Sequence, residues 1–256
     1  YFPVKGEFMK KWLCAAATAG FCALSMTGVF ADNLVLPQGE VLPLTDKVTV
    51  WNGQSSFLGT YVSELLESDN LVKTLEKEFT KAGIFNEKHK QNAEELAKLT
   101  ASLLKNSRMY QVRSEVNDTF YTGFVVSMPV SDKDKAALER LTDESVLSEK
   151  VVQDSKKPVQ DILGEALGRA LNKENQAVSV SDVSKVREGK SQKGIDYKEV
   201  HAHVLINQSG LLLPGYAGGF SIENKEGTTY NLILTDETAG NYFEPILQEA
   251  LRRASR

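Results

Sequence analysis

The feature that most limits how this chain can fold is a strict two-residue alternation between positions 109 and 129. Tyr110, Val112, Ser114 and Val116 alternate with Gln111, Arg113 and Glu115. Asn117-Asp118 then supplies a pair that accepts the left-handed backbone of a tight turn. On the returning run Phe120, Thr122, Phe124, Val126 and Met128 fall on one side. Side chains two apart in a strand share a face, so the pattern specifies an antiparallel hairpin with one buried face. Pro129 ends it, and Ser131 with Asp134 three residues on predicts a capped helix start.

Other segments extend this grammar. Val48 and Val50 predict a strand at 46–51, after a lead-in at 32–45 whose Pro37 and Pro43 read as an extended arm. Leu71, Leu75 and Phe79, four apart, predict a helix stopped at Gly83. Leu96, Leu99, Leu103 and Leu104 predict a second helix over 87–105, and the short connection makes an antiparallel helical hairpin at about 62–105. Residues 142–157 read as a charged connection, and Pro158 opens an amphipathic helix reaching Leu171. Strands are expected at 176–187, 196–207, 210–222 and 227–235, with a closing helix from about 240. Strands grouped in hairpins with helices between the groups define an α+β class. The expected architecture is a largely antiparallel sheet of about six to seven strands flanked by amphipathic helices, one domain over 32–256.

The start of the chain reads as an address. Met9 is followed by Lys10 and Lys11, an apolar run from Trp12 to Phe30, and Val29-Phe30-Ala31 before Asp32. A basic start, an apolar middle and small residues before a polar boundary mark a secretory signal peptide over 9–31, with residues 1–8 an upstream extension. Its removal takes Lys5, Lys10, Lys11 and Glu7 with it, so the net charge moves from −4 to −6. Cys14 and Cys22 leave too, and an exported body without cysteine has neither disulfide nor thiolate chemistry. No comparable apolar run follows, so no transmembrane segment is expected after cleavage. A negative net charge also argues against binding nucleic acid through phosphate neutralisation.

The run from Gly227 to Thr235 (Gly-Thr-Thr-Tyr-Asn-Leu-Ile-Leu-Thr), followed by Tyr242, Phe243 and Leu247, resembles the end of PsbP/Mog1-like α/β/α sandwich proteins. The likeness is one of element order over the last quarter of the chain. Such proteins are mostly non-enzymatic binding or assembly factors, and the resemblance implies that role here.

Catalytic motifs are tested one by one. Gly53-Gln54-Ser55-Ser56-Phe57 lacks the last glycine of a nucleophile elbow. Ser102 with Lys105, and Ser68-Asp69-Asn70, match two penicillin-binding-protein elements in reversed order, with the Lys-Thr-Gly element missing. The Gly-rich stretch Pro214–Gly219 lies within a strand pair and is read as a bulge or sharp twist. Lys185, Arg187, Lys190 and Lys193 gather at a hairpin tip and read as a solvated turn, with an anionic surface as the alternative. His89 between Lys88 and Lys90 reads as exposed.

One constellation carries chemistry. On the strand from Tyr197 to Ile206, Glu199, His201 and His203 share a face. Two imidazoles and a carboxylate at this spacing can converge on one zinc ion, giving a hydrolase whose metal-bound water is the nucleophile. The competing reading is a polar, helix-covered or solvent-facing strand face that is only structural. The leading expectation is therefore an exported, periplasmic or extracellular, non-enzymatic protein that binds a protein or cell-envelope ligand, with no catalytic residue assigned. The zinc-dependent hydrolase at His201, His203 and Glu199 is the alternative, and the helical hairpin is a third candidate surface, for a second copy or another protein.

Overall fold

A computed structural model describes residues 33–45, 47–52, 70–158, 160–162, 164–165, 176–181, 183–208 and 211–256. The predicted signal peptide at 9–31 and most of the predicted helix after Pro158 lie outside the described residues, as do positions 62–69 of the predicted helical hairpin.

The alternation at 109–129 becomes strands β4 (Arg108–Val116) and β5 (Thr119–Ser131), paired from Val116 opposite Thr119 to Arg108 opposite Ser127. Asn117 and Asp118 both have positive φ, 50° and 59°, which matches the right-handed twist of the strands they join. Strand β3 (Val48–Asn52) adds to the outer side of β4. The lead-in is not an extended arm. It folds as a small hairpin, β1 (Asn33–Val35) with β2 (Val41–Pro43), because Leu34, Leu36 and Leu42 are all drawn into the core.

The C-terminal half completes the sheet with β6 (Gln176–Ser181), β7 (Arg187–Lys190), β8 (Asp196–Gln208), β9 (Leu211–Asn224) and β10 (Gly227–Asp236). The order is β3-β4-β5-β10-β9-β8-β6, every neighbour antiparallel, with β7 also on β8. Eight strands stand where six to seven were expected. The difference lies in 176–187, which divides: β6 pairs with the far half of β8 and β7 with its near half. Between them Ser184 joins the same edge, its N–H donating to the His201 carbonyl at 2.8 Å. Pairing through Gly215–Ile222 is one-to-one on both sides of β9, so the Gly-rich stretch is neither bulged nor interrupted.

Helices cover both faces. Helix α1 (Leu71–Ala82) ends as the spacing predicts, at Gly83 with φ 62°. The predicted helix at 87–105 divides into a single 3-10 turn at Glu87–His89 and α2 (Asn92–Asn106), because Asn86 caps the turn separately. Ser131 accepts a hydrogen bond from the Asp134 N–H at 3.1 Å and opens α3 (Asp132–Leu141). A short helix, α4 (Glu149–Asp154), forms inside the charged connection, capped by Ser148. These helices bury Leu96, Leu103, Leu138 and Leu141 with Met128 and Val130 of β5, on the even-numbered face of that strand.

The odd-numbered face belongs to α5 (Glu237–Arg253). It starts three residues earlier than its apolar stripe suggests, because Asp236 accepts from the Ala239 N–H at 2.9 Å. Phe243 and Leu251 of α5 are buried with Val112, Val125, Tyr216, Ile233 and the β1–β2 leucines. The layers are thus helices, sheet and helix, an α+β fold on an antiparallel sheet. Among the described residues no helix is long and apolar enough to cross a membrane.

Candidate functional site

The zinc hypothesis rests on the face of β8, and the register fixes what that face meets. Glu199, His201 and His203 stand opposite Phe220, Gly218 and Tyr216 of β9, on the side covered by α5. Ala202 and Val204 turn to the other side and are buried, as the alternation requires. His201 and His203 therefore do share a face with Glu199.

Helix α5 decides what they can do together. Glu244 Oε1 lies 3.3 Å from His201 Nδ1, and Glu237 Oε1 lies 3.3 Å from His203 Nδ1. The two glutamates are seven residues apart, about 10.5 Å along a helix, whereas the imidazoles are two residues apart, about 6.7 Å along a strand. Each imidazole therefore meets a different carboxylate of the helix, Glu244 for His201 and Glu237 for His203. Glu199 is paired with Arg187 of β7, whose Nε lies 2.9 Å from its Oε1, and the same guanidinium reaches to 3.9 Å from Glu244. Gln248 Nε2 donates to Glu244 Oε1 at 2.8 Å and fixes that carboxylate. Each member of the predicted triad thus has its own partner. Among the described residues no group of three or more His, Cys, Asp or Glu side chains is gathered to hold a metal ion.

Tyr216 forms the floor of this strip. Its ring lies near-parallel to His201 at 5.9 Å between centroids and edge-on to His203 at 6.2 Å. The ring has room because Gly218 and Gly240 flank it: a β-carbon at either position would collide with Ile233 or with Tyr216 itself. Burial pushes the Tyr216 phenol well above its ordinary range, with Glu244 and Glu199 adding to the shift and Arg187 opposing it. Glu199 is also raised, first by burial and then by Glu244, against the pull of Arg187 and His201. His203 Nδ1 is buried and lies within ion-pair distance of Glu237, but not in hydrogen-bonding geometry.

The remaining polar candidates resolve in the same way. His89 is half-buried, not exposed, with Nδ1 2.8 Å from Asn86 Oδ1 at the cap of its 3-10 turn. In the basic cluster, Arg187 meets Glu199 and Lys190 meets Asp196 at 3.2 Å, so two of its four cations answer acids across the hairpin.

A different surface stands out by exposure. Strand β10 ends where Asp236 faces Gly215, yet β9 continues back to Leu211 and pairs there only with β8. Leu211, Leu212 and Leu213 are 60%, 55% and 38% exposed, and Leu205 on β8 is 38% exposed. Leu205 and Leu212 lie on the α5 side and Leu211 and Leu213 on the other, so the overhang is apolar on both faces. Apolar exposure of this density, in one place, marks an interaction site more often than single scattered leucines do. The sequence held a signal for it. Three consecutive leucines cannot all face one core in a strand, and no Asp, Glu, Lys or Arg occurs between Glu199 and Glu223. Compared with models of known families, with curated proteins and with solved structures, the chain shows no significant match.

Proposed function

We propose that this protein is an exported, non-enzymatic binding module that attaches to the cell envelope through the overhanging leucine end of the β8–β9 hairpin. The observation that carries the reading is the exposure of Leu211 and Leu212, beyond the last β10 pair. A chain gains nothing in stability from leucines left in water, and a partner that covers them recovers that burial. Three further points support it. The Met9–Ala31 pattern has the charge, apolar run and small residues that an export signal needs. Each polar side chain of the β8 strip is engaged by another part of this chain, as a fastening between β8 and α5 would be. The α/β/α resemblance read from Gly227–Leu247 implies the same kind of role, since such proteins mostly bind or assemble.

The test is sedimentation of the processed chain, purified from the cells that express it, with isolated envelopes of those cells. Wild-type protein is expected in the pellet, and the Leu211→Ser/Leu212→Ser protein in the supernatant. Equal pelleting of the two, or no pelleting of either, would contradict the reading.

A further inference from the structure

We propose that Glu40 anchors a calcium site where the turn between β1 and β2 meets the turn between β9 and β10. The inference is independent of the envelope-binding reading above.

Glu40 is 0% exposed, and its Oε2 has no hydrogen-bond partner. Among the described residues no lysine, arginine or histidine is paired with it, and Arg256, which reaches the β9–β10 turn, pairs with Glu226 at 2.6 Å. A lone charge in an apolar interior is costly, so buried carboxylates are paired with a cation or bound to a metal. The backbone holds Glu40 in place from both sides. Its carbonyl accepts from the Leu36 N–H at 2.8 Å, and the next residue, Val41, exchanges hydrogen bonds with Ser255 at 2.8 and 3.0 Å.

The surroundings of the carboxylate are rich in oxygen and short of protons. Gln38 Oε1 and Glu40 Oε1 share the same two donors. Asn224 Nδ2 donates to both, at 2.7 Å to Gln38. Thr229 Oγ1 lies 2.9 Å from Gln38 Oε1 and 3.1 Å from Glu40 Oε1. A hydroxyl carries one proton, so Thr229 serves one of these oxygens at a time, and Oε2 receives none. Asn224 is fixed in this orientation because its Oδ1 accepts from the Glu226 N–H at 2.7 Å. A carboxylate, an amide carbonyl and a hydroxyl gathered this closely form the ligand set of a hard cation. It holds a single carboxylate, so no cluster of acids or histidines marks it.

The chemistry of the set selects calcium. It has no imidazole or thiolate, the ligands that suit zinc and copper. Magnesium demands a near-ideal octahedron of short bonds, whereas calcium accepts an irregular set that includes a bidentate carboxylate. Gln38 is only half-buried and leaves a side from which water completes the coordination. One carboxylate places the affinity at the weak end for calcium proteins, with a dissociation constant of about 1 mM. The bound ion ties the N-terminal hairpin to the end of the central strands.

The experiment is equilibrium dialysis of the chelator-treated chain against calcium chloride in a constant sodium chloride background. Melting is followed beside it at about 10 mM calcium or magnesium, which at that affinity raises the folded-to-unfolded ratio about tenfold for a bound ion. Wild-type protein is expected to bind one calcium ion and to melt higher with calcium than with magnesium. Glu40→Gln, which keeps the shape and loses the charge, is expected to lose both effects. Should it not fold, Gln38→Ala, at a half-buried position, is expected to fold and to weaken binding at least about tenfold. Glu115→Gln, at an exposed carboxylate on β4, is expected to bind as wild type does. No bound calcium at about 10 mM, an equal rise in melting with magnesium, or binding unchanged in Gln38→Ala or Glu40→Gln would overturn the inference. Each of these results leaves the sedimentation test of Leu211 and Leu212 untouched, so the two readings fail separately.

Discussion

Gly240 of α5 rests directly on Tyr216 of β9: a β-carbon on the glycine would stand 2.3 Å from both Cβ and Cγ of the tyrosine. The contact sets how near the last helix comes to the sheet, and it seats the ring beneath His201 and His203. Helix and strand are held there by shape first, and by the His–Glu pairs second.

Two effects of opposite sign meet in Gly240→Ala. Alanine gains about 1 kcal/mol of helix propensity over glycine, whereas overpacking a filled core costs about 1–3 kcal/mol. With the nearest atoms being Cβ and Cγ of a buried ring, the clash cannot be relieved by a flexible side-chain end, so sterics win. The expected outcome is a lower melting temperature than wild type; a higher one would show that α5 is not seated on Tyr216.

Phe243 reports on the same seam from its apolar side. It is 4% exposed and packs where Gly123 opens the β5 backbone beside Val112. Phe243→Ala is expected to cost about 3–5 kcal/mol in urea unfolding, with little change in m-value. Leu212→Ala, in the overhang, is expected to stay within about 0.5 kcal/mol of wild type.

Ser127 and Asn231 are a buried polar pair on the α5 side of β5 and β10. The serine hydroxyl donates to Asn231 Oδ1, and the amide donates onward to the Thr229 carbonyl at 3.2 Å. Ser127→Ala strands an acceptor in the core and is expected to cost about 1–3 kcal/mol. In a double-mutant cycle with Asn231→Leu the two losses should be less than additive, by about 0.5–3 kcal/mol. Strict additivity would mean that the pair is not formed.

Glu199 gives a pH signature whose sign follows from its raised folded-state pKa. Burial disfavours its charged form, so the folded chain binds this proton more tightly than the unfolded one. Stability from this group is fully present below the ordinary carboxylate range and is lost as pH rises through the raised value. Glu199→Gln, which cannot ionise, is expected to melt above wild type at pH 7, with the difference closing as pH falls into the ordinary carboxylate range. A Gln variant that melts lower at pH 7 would mean that the Arg187 contact outweighs burial.

What the sequence made legible follows the range of the interactions involved. The β4–β5 pairing with its Asn117-Asp118 turn, the Gly83 stop and the Ser131 cap depend on neighbours a few residues away and form as expected. The single buried face of the hairpin and its end at Pro129 do not. Tyr110 and Val112 stand opposite Val125 and Gly123 under α5, Met128 and Val130 are buried on the other face, and β5 runs on to Ser131. The sharing of a face by Glu199, His201 and His203 is also local, a matter of strand period. Their partners are not. Glu237, Glu244 and Arg187 reach them from α5 and from β7, and no spacing in the chain announces those meetings. The same limit hid the β1–β2 hairpin, whose Val41 pairs with Ser255 at the opposite end of the chain. The division of 176–187 likewise follows from β8 being long enough to hold two short partners end to end. The leucine overhang was missed because a run of leucines reads as core until the end of β10 is known.

The account as a whole stands on an exported body that does its work by attachment. Its most direct test is to fractionate cells expressing the full chain and determine the first residue and the compartment of the stable product. The account predicts a chain beginning at Asp32, outside the cytoplasm and associated with the envelope. A cytoplasmic product that keeps Met9–Ala31 would contradict it.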